Sequence, residues 1–203
     1  MGDVGEVAKV FQPLSQLGAD LLGRLLGPAT SELGGWVGDH LKDRRARNVA
    51  NTLELAAAMV NERGGDVRAA EPEFVLSTIT AAARVADPDL RDLWARLLAR
   101  AAESDDAESP ALVAVVSSMS PEDARIVAHH MRTIGDNACS LEAGGNVVPT
   151  DAGARMQMLG IVELAALSHG AHVRLTGLGY TLGRVLFGDE FVRRVPARPA
   201  QPG

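Results

Sequence analysis

Residues 87–106, DPDLRDLWARLLARAAESDD, decide how the chain folds. Leu90, Leu93, Trp94, Leu97 and Leu98 recur at i, i+3, i+4, i+7 and i+8, which is one stripe of an α-helix. Asp87 offers a cap, Pro88 the pre-set φ of a first helical residue, and Ser104-Asp105-Asp106 a stop. Arg91, Asp92, Arg96 and Arg100 fall largely off the stripe and can stay wet. Such a helix buries one face against other helices, so Trp94 is expected in the core or at its edge. A surface anchor for a partner is the alternative.

The neighbouring stretches extend the helical pattern in both directions. Pro72 opens a helix through Phe74, Val75, Ile79 and Ala82 to Val85, close enough to Asp87-Pro88 that the two helices should pack together. NERGGDVRAAEP (61–72) is a loop, and the face Val49, Thr52, Leu53, Ala56, Met59 and Val60 predicts a helix over 43–61. Residues 4–41 are weakly amphipathic and studded with glycine. Gly23/Gly27 and Gly34/Gly38 have the four-residue spacing that permits close helix approach. Helices docked in a bundle explain it, and a membrane-active segment over 4–38 is the alternative. After the solvated loop ESDDAES (103–109), a short helix carries Leu112, Val113, Val115 and Val116.

Further on, SPEDARIVAHHMRTIG (120–135) begins with a capping box, Ser120 with Asp123 three residues along. Thr150-Asp151 caps a short helix to Leu159-Gly160, and IVELAAL and AHVRLT form a hairpin about a Ser-His-Gly turn. GLGYTLGRVLFG closes as a helix. The expected fold is mainly α: a Gly-rich amphipathic segment (1–39), a helical bundle (40–117), a winged-helix-like module with a short β-hairpin (118–190) and a disordered tail (191–203).

Composition narrows the functional classes. With 46% apolar residues and only 3% aromatics, the core is built from Leu, Val, Ala and Ile, which favours packed helices. Only Lys9 and Lys42 among the basic residues are lysine, a bias expected of a GC-rich bacterial genome. The net charge of −6 resides in the first 111 residues and is no footprint for broad nucleic-acid binding, which needs clustered cations. A lone Cys139, a start without a basic n-region and apolar runs short of a membrane span lead to the expectation of a cytoplasmic protein.

Few residues invite chemistry. Arg44, Arg45 and Arg47 beside Lys42 form a candidate partner-binding surface for protein or nucleic acid, with a solvated face as the plainer alternative. If the second module reads DNA, Arg155 and Gln157 would come from its second helix and His172 and Arg174 from its wing. Adjacent His129 and His130 point about 100° apart on a helix and cannot share an ion, and His169 and His172 have no Cys partner nearby. Cys139 lacks an identifiable base. GLGYTLG follows RLT within the wing without the acidic partner of a dinucleotide site. No catalytic residue, metal, cofactor or small-molecule substrate is expected. A protein partner or self-association is expected, and contact with nucleic acid or, through the N-terminal segment, with a membrane is an alternative.

Several segments, taken in order, resemble the abortive-infection alpha family of bacterial proteins. ELGGWVGDHLKDRRARNVANTLE (32–54) is similar to its Gly-containing start and arginine-asparagine helix, and DLRDLWARLLARAAE (89–103) to its leucine-tryptophan-x-x-leucine-leucine helix. VAVVSSMSPEDARIV (113–127) is similar to its apolar helix followed by a serine-proline-acid start. MLGIVEL with VRLTGLGYTLGRVLFG is similar to its closing elements. The resemblance spans about residues 28–188, with Ser109-Pro110 standing where the family has histidine-proline. It implies phage defence by arrest or death of the infected cell, with a toxin-like action, and carries over no catalytic residue. Open alternatives are a winged-helix transcription regulator and a membrane-perturbing effector.

Overall fold

A computed structural model describes residues 15–27, 44–64, 66–136, 150–167, 170–188 and 190–191. These residues form a mainly helical protein of two compact units, Met1–Ser117 and Ser118–Gly203. Among the described residues, no helix is long and apolar enough to cross a membrane.

Among the described residues of the first unit the helices are α1 (Gln16–Leu26), α2 (Arg44–Arg63), α3 (Pro72–Ala82), α4 (Pro88–Glu103) and α5 (Pro110–Ser118), with a 3-10 turn at Asp105–Ala107. α4 is the helix read from its caps: Asp87 Oδ1 accepts from the Asp89 and Leu90 amides at 3.0 and 3.2 Å, and Ser104 ends it. Its stripe is wholly inside, with Trp94 only 1% exposed and Leu97 and Leu98 equally buried. The arginine-and-aspartate face stays partly wet, and Arg96 reaches back to Asp92 at 2.7 Å.

α2 packs most extensively against α4, and the two run in the same direction. Near the start of α2, Asn48 Nδ2 donates to the Ala83 carbonyl at 3.0 Å, just ahead of the α4 cap. At the far end Arg63 donates to both Glu103 oxygens, at 3.1 and 2.9 Å. α3 returns antiparallel between these ends. It stops at Ala82, three residues before the expected Val85, because the Arg84 and Val85 amides tighten onto the Ala81 and Ala82 carbonyls three residues back.

The described part of the Gly-rich segment is not separate from this bundle. Ser15 caps α1 through a 3.3 Å bond from the Gly18 amide, and Leu21, Leu22, Leu25 and Leu26 are buried where α1 meets α2 and α3. The boundary placed at 39/40 from composition therefore falls inside the first unit. Gly34 and Gly38 lie outside the described residues.

In the second unit α6 (Pro121–Asp136) and α7 (Thr150–Met158) precede the hairpin β1 (Val162–Leu167) and β2 (Gly170–Leu175), and α8 (Gly177–Phe187) follows. α7 includes Thr150, which the sequence reading placed at the cap, and ends one residue before Leu159. The strands pair antiparallel from Val162↔Leu175 to Leu167↔Gly170. Thr176 joins sheet to helix: its amide bonds the Ile161 carbonyl at 3.0 Å while its Oγ1 caps the Gly179 amide. Val127, Met131, Met156, Ile161 and Leu182 build the core.

One assignment is corrected at the end of this unit. Phe191, placed in the disordered tail by composition, is buried against Tyr180 and Phe187, with ring centroids 5.8 and 6.3 Å away. Two glycines explain it. Gly188 takes φ +63°, a conformation that side chains disfavour, and turns the chain back. Gly183 leaves the space that the ring fills, since a Cβ there would stand 2.2 Å from Phe191 Cζ. The rest of the proposed tail, 192–203, lies outside the described residues.

Candidate functional site

The three arginines singled out as a partner surface occupy the beginning of α2. Arg44, Arg45 and Arg47 are all exposed, and no acid shares that first turn. Cations at a helix N-terminus oppose the macrodipole, so local helix energetics give no reason for them to be there. The Asn48–Ala83 hydrogen bond brings a fourth exposed arginine, Arg84, to the same end of the unit. None of the four makes an ion pair with a described residue. Arg84 was missed in the sequence because its neighbourhood depends on a contact between residues 35 apart. Lys42 lies outside the described residues.

In the second unit the residues named for nucleic acid are placed differently from one another. Arg155 is engaged within the protein. Its Nε donates to Asp123 Oδ1 at 2.6 Å and one terminal nitrogen to Asp123 Oδ2 at 2.8 Å, a bidentate pair between α7 and α6. The acceptor belongs to the capping box: Asp123 Oδ2 takes the Ser120 amide and hydroxyl at 2.9 and 2.8 Å, and Ser120 Oγ receives the Asp123 amide at 3.2 Å. Burial pushes the Asp123 carboxyl up. Hydrogen bonds from Arg155 and Ser120, with the arginine charge, outweigh it and hold the group below its ordinary value. Arg155 is correspondingly raised by its bonds to Asp123.

Gln157, two residues further along α7, is exposed. On β2, the register sets His172 opposite Ala165 and Arg174 opposite Glu163. Arg155 on α7 is thus held by an acid of α6. The capping box was legible as a local pattern, but its arginine partner lies 32 residues away and no spacing rule announces it.

The histidine pair on α6 forms an edge contact, with ring centroids 5.2 Å apart and planes at 78°. Burial and the neighbouring His129 lower the pKa of His130. Among the described residues, no group of three or more His, Cys, Asp or Glu could hold a metal ion. Cys139 and His169 lie outside the described residues. The chain matches the family model described as abortive infection alpha over residues 42–151, which takes in α2 to α6 and the first residues of α7. No curated protein and no solved structure matches it.

Proposed function

The chain belongs to the abortive infection alpha family, and from that membership we propose that it is a phage-defence protein that acts through protein contacts, without catalysis, to arrest or kill the infected cell. The match over residues 42–151 carries this proposal. The exposed arginine surface at the start of α2 lies within the matched region and supports contact with an acidic partner. Expression in a phage-sensitive bacterial host, with efficiency of plaquing measured across a broad phage panel, tests it. Reduced plaquing on at least one phage is expected, and unchanged plaquing on all of them would count against it.

The order α6, α7, hairpin, α8 favours a winged-helix-like role for the second unit. We read that module as a docking element for protein more than as a DNA reader, because Arg155 is engaged by Asp123. Retention of genomic DNA fragments by the purified chain at low salt, lost on Gln157→Ala and Arg174→Ala substitution, would instead establish the transcription-regulator alternative.

A further inference from the structure

The first unit carries opposite charge at its two ends, and this polarity identifies a partner for the arginine surface. α2 and α4 run side by side in one direction, so one end of the unit holds both helix starts and the other both helix ends. At the first end stand the exposed Arg44, Arg45, Arg47 and Arg84, which outnumber the half-buried Asp87 and Asp89 of the α4 start, Asp87 being taken up by the helix cap. The distal end gathers acids. Glu62 lies in the last turn of α2, and the segment after it is tied to the end of α4 by the Arg68 amide on the Ala102 carbonyl at 2.8 Å. That tie and the Glu71 amide on Glu108 bring Asp66, Glu71, Glu73 and Asp105 to the same end, all exposed. Arg63 and Arg68 at this end are already paired, with Glu103 and Glu108.

The length of α2 separates the poles by about 28 Å at 1.5 Å per residue. That is several times the ~8 Å Debye length at physiological salt, so within one molecule the poles barely sense each other. Between molecules they are complementary. A polyanion such as nucleic acid would meet the arginines but be repelled by the rest of a chain of net charge −6. A second copy offers the acidic pole itself.

We propose that the chain associates head to tail with itself, the Arg44/Arg45/Arg47/Arg84 pole of one copy seated on the Glu62/Asp66/Glu73/Asp105 pole of the next. This deepens the proposed action through protein contacts and rests on it for its biological meaning. A head-to-tail interface uses two different surfaces, so it adds copies into a ring or an open filament, whereas a two-fold dimer closes at once. Such assembly rises with concentration.

Sedimentation velocity of the full-length chain over a concentration series tests this, using two charge-reversed variants. Arg44→Glu/Arg45→Glu/Arg47→Glu makes both poles acidic, and Glu62→Lys/Asp66→Lys/Asp105→Lys makes both basic. The Arg→Glu changes at the start of α2 and Glu62→Lys at its end accord with the helix dipole, so the helix is retained, with circular dichroism as the check. The parent chain is expected to exceed the 21.3 kDa of one copy at low salt and to return to it near 1 M salt, where the Debye length is about 3 Å. Each variant alone should stay monomeric, and an equimolar mixture of the two should associate again. A parent monomeric at every concentration, or variants that assemble like the parent, would overturn the proposal. So would arginine-dependent retention of DNA by a chain that stays monomeric. Because the readout uses purified protein, its failure leaves the plaquing result standing, and the converse also holds.

Discussion

Replacing Trp94 with alanine probes the centre of the helical unit. The side chain is 1% exposed in the middle of α4, on the stripe with Leu90, Leu93, Leu97 and Leu98. Deleting a buried aromatic costs about 3–5 kcal/mol, from lost transfer energy and the cavity left behind. Domains of ordinary stability hold roughly 5–15 kcal/mol in all, so the loss is a large share. For a unit of this size, about 3–5 °C per kcal/mol translates it into a fall of roughly 9–25 °C in melting temperature. Phenylalanine should behave differently. It keeps an aromatic ring and removes an indole N–H that finds no acceptor among the described residues, so Trp94→Phe should cost less than about 1.5 kcal/mol. Thermal melts of parent, Phe and Ala variants by circular dichroism distinguish these outcomes. In a background with Trp36 replaced, Trp94 emission should also be blue-shifted and poorly quenched by iodide. An alanine variant melting within about 2 °C of the parent would refute the core assignment. Equal damage by Phe and Ala would show that the N–H is used.

Other consequences concern the second unit. The Asp123 carboxyl is held below its ordinary value in the fold, so its stabilisation is present above the unfolded value of about 3.9 and is lost as pH falls through the folded value. Acid melts of the parent should steepen in that window relative to Asp123→Asn, and coincident acid profiles would contradict the clamp. Gly179→Ala should destabilise by about 1–3 kcal/mol or more, because its Cβ would sit 2.0 Å from the Ile161 carbonyl oxygen. Gly177→Ala meets nothing within 4 Å and should be neutral or mildly stabilising, so equal melting temperatures for the two would speak against this packing.

How far the sequence could be read depended on the range of the interaction that decides each feature. α4 was legible to the residue because its stripe, its Asp87 cap and its Ser104 stop are all local. The Ser120–Asp123 capping box was legible for the same reason. Hairpin pairing followed from the alternation of Val173 and Leu175 with polar neighbours. Other features depend on contacts distant in sequence or on glycine geometry. Arg155 finds Asp123 only where α7 meets α6, and Arg84 gained its neighbours only through Asn48. Phe191 sits in a polar, proline-rich stretch, and its burial is set by the space left at Gly183 and the turn at Gly188. The candidate surface on α2 was visible as three arginines, but its polarity against the acidic far end needed the parallel packing of α2 and α4.

The central claim, abortive infection, is tested most directly by following infected cells one cycle at a time. Cells expressing the chain are infected at high multiplicity with a phage on which plaquing falls, and burst size and surviving colonies are counted together. Abortive infection requires that phage yield per infected cell drop sharply while colony survival does not rise above that of control cells. A full burst from expressing cells, or protected cells that go on to form colonies, would contradict it.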